Sequence, residues 1–255
     1  MDDKIIKNEK KLTIIVPFKN RYDNLKVFIP YMNHYFKNNF PEIDYKIVIM
    51  EQENDKPFNK GLLLNIGFLL TSGFTDYYAI HDVDELPISA KYYFTEKPFH
   101  IAVNIFNQGH NGDIVNHYEK EGFQHKGSCV LISKECYLQL NGHSNLYWGW
   151  GPVDVNFDTR MHASGIGFNR WKTKVDNDNG YFIELKTNHV RYLEDPLYLN
   201  NELITYKTFN KEIDWKKDGL NSIKGYEVLK TDSTDDYIKY VVDFEDDLTN
   251  MSMYL

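Results

Sequence analysis

Three short apolar runs separated by two helical patterns fix the topology that the first third of this chain can adopt. Leu12-Thr13-Ile14-Ile15-Val16 is a β-branched run with the character of a strand buried on both faces, and Pro17 stops it. Leu25, Phe28, Ile29, Met32 and Phe36 then recur at helical spacing, with Pro30 expected to kink that helix or begin a new turn. Residues 45–50 read as a second strand, 59–70 as a second helix containing Gly61 and Gly67, and Tyr77–Ile80 as a third strand. A β-α-β-α-β order with right-handed crossovers makes a parallel sheet, whose ligands bind beyond the carboxyl ends of the strands. Those ends are residues 17–21, 51–60 and 81–87, three polar segments that the topology gathers at one crevice.

The third of these ends carries His81-Asp82-Val83-Asp84. Side chains two apart on an extended segment share a face, and paired carboxylates there offer hard oxygen ligands to magnesium, manganese or calcium. The simpler reading is an acidic turn closed by Pro87. A second informative stretch is Tyr147-Trp148-Gly149-Trp150-Gly151-Pro152-Val153-Asp154. Two tryptophans spaced by glycine predict either a core aromatic pair or a flat wall that a sugar ring can approach. Residues 153–162 have helical character, so Asp154 falls in a first turn. There the helix dipole favours its charged form, and it serves either as a general base or as a plain cap.

The second half is less regular, with strand candidates at 100–106, 127–132 and 181–190 and a helix at 134–140. Beyond residue 200 the pattern decays into mixed polar and aromatic residues. The 42% hydrophobic and 15% aromatic content supports one large core. With 29 basic against 37 acidic residues, the net charge of −8 gives no general attraction to nucleic acid, so an anionic ligand needs a local cation. Two cysteines, Cys129 and Cys136, make no disulfide framework and are expected as thiols. The charged start and the shortness of the apolar stretch 12–18 lead to the expectation of a cytoplasmic protein, at or near the inner face of the membrane, with no transmembrane segment.

Pro17-Phe18-Lys19-Asn20-Arg21, Phe58-Asn59-Lys60, His81 through Pro87, Trp148-Gly149-Trp150-Gly151 and Asp218-Gly219-Leu220-Asn221-Ser222 together resemble the β-1,4-galactosyltransferases, in order and approximate spacing over residues 12–230. The resemblance is closest to the branch that galactosylates xylose on proteoglycan linkers. It implies an α/β fold of the GT-A type, a Rossmann-like nucleotide-binding half with a mixed central sheet. The expected division is a nucleotide-binding half at 12–87, an acceptor-binding half at 88–230 and a tail at 231–255. It also implies an inverting transferase that uses Mn²⁺, with Mg²⁺ as the other candidate, and moves galactose or N-acetylgalactosamine from a UDP-sugar to a glycan hydroxyl, a lipid-linked glycan included.

By that resemblance Pro17, Phe18, Asn20, Arg21, Phe58, Asn59, Lys60, Asp82 and Val83 contact the nucleotide. Asp84 is a metal ligand, completed by His189 and Glu194, with Tyr192 in an alternative register. Asp154 is the catalytic base, and Trp148, Trp150 and Gly151 meet the acceptor. Lys19 and Lys60 stand where the family usually has Arg, which keeps the charge and loses the bidentate fork. Val153 and Val155 replace acidic neighbours of the base, so the family's usual acceptors do not carry over. Residues 196–214 resemble the loop that closes over the donor. Two rivals remain: a carbohydrate-binding protein of the same fold without catalysis, and a nucleotidyltransferase, for which no glycine-rich phosphate loop is present.

Overall fold

The computed structural model describes residues 9–108, 114–116, 127, 129–171, 179–185 and 196–244. In chain order the elements are β1 (Leu12–Phe18), α1 (Tyr22–Asn39), β2 (Tyr45–Gln52), α2 (Lys60–Thr71), β3 (Tyr77–Ile80), β4 (Glu85–Ser89), β5 (Phe99–His100), β6 (Asn104–Gln108), β7 (Ile114–Asn116) and β8 (Val130–Ser133). There follow α3 (Lys134–Gln139), α4 (Val153–Ala163), β9 (Asn169–Arg170), β10 (Tyr181–Glu184), α5 (Pro196–Phe209), two short 3-10 turns, β11 (Glu227–Ser233) and β12 (Ile238–Asp243).

The central sheet runs β11-β12-β2-β1-β3-β8-β5-β9 and the second β4-β10-β6-β7. β2, β1 and β3 are mutually parallel, as the alternating pattern requires, and β8 is antiparallel to β3, so the large sheet is mixed. Strand alternation sorts the core into two layers. Ile14, Val16 and Phe18 of β1 pack with Phe28, Met32 and Phe36 of α1 on one face. Ile15 packs with Leu63, Ile66 and Tyr137 on the other. Gly67 is what lets α2 lie against the sheet, because a Cβ there would stand 2.4 Å from Ile15 Cδ1. Cys129 and Cys136 are both free thiols.

Several expectations need correction. α1 is continuous from Tyr22 to Asn39, so Pro30 lies inside it and does not begin a new helix. The single strand expected at 100–106 is two: β5 lies between β8 and β9 in the large sheet and β6 belongs to the second one. Residues 101–103 between them are buried, so hydrophobicity alone gave no sign of the break. The region from 231 onward is not a tail as far as Phe244. Its β12 pairs parallel with β2 from Ile238↔Val48 to Val242↔Gln52, and β11 covers β12. Residues 196–209, expected within a closing loop, are α5, packed on α4. Its buried positions are Asn200, Asn201, Ile204 and Thr208, a face too polar to announce itself by apolar periodicity.

Gly61 tests how tightly α2 is seated. A Cβ there would lie 2.0 Å from the Ser144 carbonyl oxygen, a backbone atom that no rotamer change can move, whereas one on Gly73 meets nothing within 4 Å. Gly61→Ala is expected to cost about 1–3 kcal/mol or more, and Gly73→Ala to be close to neutral, read as the difference in urea midpoints.

Candidate active site

The parallel strands end on a common edge: β1 reaches Phe18 opposite Glu51 of β2, and the His81 amide donates to the Ile15 carbonyl as β3 ends. His81 is fully buried. Its Nδ1 lies 2.9 Å from the Asp82 carbonyl oxygen, which can only accept, so Nδ1 carries the proton and Nε2, 3.1 Å away, accepts from the Tyr92 hydroxyl. Burial pushes this imidazole down to about 4, which keeps it neutral and fixes the backbone of the turn that follows. Val83 then packs into the core, while Asp82 and Asp84 on either side of it remain half-buried. The pattern is the one expected of carboxylates two apart on an extended segment.

Two cations answer these carboxylates. Arg21, at the start of α1, places NH1 2.5 Å from Asp84 Oδ2. Lys60, the first residue of α2, places its ammonium 2.8 Å from Asp82 Oδ1, 3.0 Å from Asp154 Oδ1 and 3.2 Å from Asp154 Oδ2. Burial works against the Lys60 charge, yet Asp154 and Asp82 together outweigh it and push the ammonium up. Asp154 lies in the first turn of α4, as its sequence context predicts. The helix dipole was expected to hold its carboxyl down, but burial, with Asp82 adding to it, outweighs Lys60 and pushes the carboxyl up.

Lys60 reaches both carboxylates because the backbone around it is pinned. The Asn59 side chain caps α2 by accepting from the Leu62 amide, and its Nδ2 donates to the Asn145 carbonyl. The Gly149 amide donates to the Phe58 carbonyl, 2.8 Å away. The Phe58-Asn59-Lys60 and Trp148-Gly149-Trp150-Gly151 segments, about 90 residues apart in sequence, are therefore joined through backbone groups. Farther along α4, the guanidinium of Arg160 is fully buried. It donates to Asn156 Oδ1, to the Gly142 and Asp218 carbonyls and to Asp218 Oδ2 at 2.8 Å.

The aromatic wall is only half as expected. Trp148 is 3% exposed and packs in the core beside Phe244, so it is a structural residue. Trp150 is half-buried and stacks on Tyr198 of α5, with ring centroids 4.9 Å apart and planes at 18°. Gly151 is half-buried, and a Cβ there would stand 2.6 Å from the Asn201 side chain, whose Nδ2 donates to the carbonyls of Trp148 and Trp150.

The model of the N-terminal region of glycosyl transferase group 7 matches residues 4–96, and that of the N-terminal domain of galactosyltransferase matches residues 114–187. Human β-1,4-galactosyltransferase 7 is 32% identical over 227 residues, covering 87% of this chain and 63% of its own length. The Drosophila melanogaster protein of that name is 32% identical over 228 residues, with 86% and 64% covered. The chain belongs to the group 7 glycosyltransferases. It spans less than two thirds of the length of these curated relatives. The crystal structure of the Drosophila catalytic domain with xylobiose superposes with a TM-score of 0.72 at 26% identity, covering 96% of this chain and 99% of that one. A mannosyltransferase from Pyrobaculum calidifontis, at 11% identity and a TM-score of 0.50, shares the fold alone.

The acidic side chains at this crevice are oxygen donors of the type a divalent cation takes. Asp82 and Glu184 act on Asp84 and Glu85 there, and Asp82 acts on Asp154, against Arg21 and Lys60. Burial, followed by Asp82, pushes the Asp84 carboxyl up, and Glu85, fully enclosed, is pushed up strongly by burial and then by Asp82, Asp84 and Glu184. Glu85 Oε2 is buried with no hydrogen-bond partner among the described residues. Oxygen donors in such surplus suit manganese or magnesium. No cluster of three metal-binding side chains occurs among the described residues. His189, Tyr192 and Glu194 lie outside those residues, leaving Asp84 as the described member of the expected shell.

The nucleotide side also departs from expectation. Asn59 commits both ends of its amide to the cap and the Asn145 carbonyl, so it positions Lys60 and does not reach a ligand. Pro17, Phe18 and Val83 are buried, Phe18 and Val83 within the core. Asn20 is exposed at φ 54, and Phe58 is half-buried. Lys19 donates to the carbonyls of Asn54 and Lys56, and burial pushes its ammonium down. The sequence reading missed Glu85, Asn201 and Tyr198. Glu85 stood in the acidic motif itself and was legible, whereas the other two lie on the helix whose buried face is polar.

The buried imidazole makes a pH prediction. Its folded value of about 4 lies below the ordinary 6.5, so the unfolded chain binds the proton more tightly and stability is lost as pH falls from 6.5 toward 4. At 1.36 kcal/mol per unit the loss approaches ~3 kcal/mol. His81→Asn is expected to flatten that segment of the profile in urea titrations, whatever its effect at neutral pH.

Proposed function

We propose that this chain transfers galactose from UDP-galactose to a hydroxyl of a glycan, with inversion at the anomeric carbon and dependence on Mn²⁺. The observation that carries the reading is the convergence of Asp154, Lys60, Asp82, Asp84 and Arg21 on one crevice at the carboxyl ends of parallel strands. A substituted Drosophila β-1,4-galactosyltransferase 7, 25% identical to this chain, has a crystal structure in complex with manganese, UDP-Gal and xylobiose. That complex supports a UDP-sugar donor, a divalent cation and a sugar acceptor here.

In the reaction, the acceptor oxygen forms a bond to the anomeric carbon as its proton passes to Asp154, and the bond to UDP breaks on the opposite face with its electron pair leaving on the diphosphate. Burial raises the proton affinity of Asp154, which suits a general base. Arg21 and Lys60 bring positive charge to an otherwise acidic molecule where the diphosphate must lie. Asp84 would hold the cation together with groups from the segment containing His189 and Glu194; when bound, the cation supplies Lewis-acid stabilisation of the leaving diphosphate. Trp150, stacked on Tyr198, offers an aromatic face for the acceptor ring. The family's usual acceptors are not carried over, because Val153 and Val155 flank the base where acidic residues are usual.

Galactose is favoured over N-acetylgalactosamine because the similar proteins are galactosyltransferases, one of them seen with UDP-Gal. A screen of UDP-sugars with simple glycosides tests the reading. Asp154→Asn is expected to lower turnover by about 10²- to 10⁴-fold while sparing UDP affinity, measured by calorimetry. Asp84→Ala is expected to abolish the difference in UDP affinity between Mn²⁺ and chelator. Sugar binding without manganese-dependent UDP release would favour the non-catalytic rival.

A further inference from the structure

We propose that Lys60 is a positioning residue for the base: it holds Asp154 in a closed ion pair until the donor diphosphate draws its ammonium away, so the base is freed only when donor is bound. The inference rests on the reading above and adds to it how occupancy of the donor side reaches the acceptor side.

The geometry is specific. The Lys60 ammonium lies within 3.2 Å of both carboxylate oxygens of Asp154, so each oxygen that could take the acceptor proton already faces a cation. A base clasped in this way holds a proton less readily than the same carboxylate alone. The same ammonium touches Asp82 at 2.8 Å, which ties it to the turn carrying Asp84. Asp154 belongs to α4 and Asp82 follows β3, so one side chain from α2 bridges the acceptor and donor sides.

Only the side chain is free to make the exchange. The Lys60 backbone is held by the Asn59 cap and by the close approach of Gly61 to Ser144. An ammonium suits such a transfer, because three rotatable donors on a flexible stem can pass from a carboxylate to a phosphate oxygen without losing a fixed fork. Arg21 forms a second clasp of the same kind on Asp84, the carboxylate that would hold the dication. The resting crevice is therefore partly neutralised by its own side chains, and a metal diphosphate replaces that neutralisation.

The test follows the carboxyl carbon of Asp154 by ¹³C NMR in aspartate-labelled protein, assigned by loss of the signal in Asp154→Asn, with UDP and diamagnetic Mg²⁺ as probes. Saturating UDP and Mg²⁺ are expected to move the Asp154 titration midpoint upward by about 1–3 units in the unsubstituted protein, the shift a removed neighbouring cation produces. Lys60→Met should produce that upward move without ligand, and UDP with Mg²⁺ should add nothing further to it. An unchanged midpoint in the unsubstituted protein at saturation, or an equal ligand-induced move in Lys60→Met, would overturn the proposal. The unsubstituted arm decides the matter if the variant does not fold. Calorimetry separates the two readings: absence of UDP binding sinks the transferase reading and this inference with it, whereas UDP binding with a static Asp154 sinks the inference alone.

Discussion

One buried ammonium shared by two carboxylates from different parts of the chain is the interaction on which the rest of the site depends. Removing Lys60 from water is costly, and its pairing with Asp82 and Asp154 is what makes that tolerable. The same pairing fixes the distance between the end of β3 and the start of α4, elements with no hydrogen-bonded register between them. The crevice remains over-supplied with negative charge even so. Asp84, Glu85 and Glu184 act on one another across β4 and β10, where Glu85 and Glu184 are paired in register. Like charges directly opposite in an antiparallel pair destabilise it. A surplus of this kind in an enclosed place is the electrostatic condition that a divalent cation relieves.

The framework behind the site is polar where a purely stabilising core would be apolar. Arg160, Asp218, Asn145 and Asn65 link α4, the 141–145 loop, α2 and the turn at 218–222 by buried hydrogen bonds. Burying an ion pair adds little net stability, but breaking one leaves an uncompensated charge at a cost of roughly 3–5 kcal/mol. What such a network supplies is direction. Hydrogen bonds to the Gly142 and Asp218 carbonyls specify how α4 sits, and therefore where Asp154 points, more narrowly than side-chain packing would. The Asp-Gly-Leu-Asn-Ser motif is accordingly part of the scaffold: Gly219, at φ 145, approaches the Asn141 carbonyl too closely for any Cβ.

How much was legible in the sequence follows from this division of materials. Where a segment is a short unbroken apolar run or a longer Leu-rich one, its type was readable, as for β1, β2, β3 and α2. The crevice was readable as well, because topology alone brings the ends of parallel strands together. Segments that bury polar residues were not. α5 turns Asn200, Asn201 and Thr208 inward, and β5 and β6 lie in one apolar run that changes sheets without changing composition. Trp148 and Trp150 look alike in sequence, and only the packing of Phe244 against the former separates a core residue from an exposed face. The dipole argument for Asp154 considered the helix end alone, and left out the burial and the Asp82 neighbour that only the folded structure shows.

The two sides of the crevice are built with different freedom to vary. The donor side rests on strand ends in the central sheet and on a buried neutral histidine, so a change there disturbs the core. The acceptor side is furnished by α5, which is fastened mainly through Asn201 to the main-chain carbonyls of Trp148 and Trp150, and through Thr205 and Thr208 to Tyr147 and Asn156. Bonds to carbonyls do not depend on which side chains the neighbouring residues carry. Tyr198 and its hydrogen-bonded neighbour Glu202 can therefore be exchanged without loosening the turn that precedes Asp154. Val153, by contrast, is packed with Tyr147 and Ile204, so returning a carboxylate to that position would bury an unpaired charge between α4 and α5. The apolar replacement beside the base and the helix laid across it are thus one structural choice, and it removes two acidic groups from the acceptor side while leaving the base where the ion pair holds it.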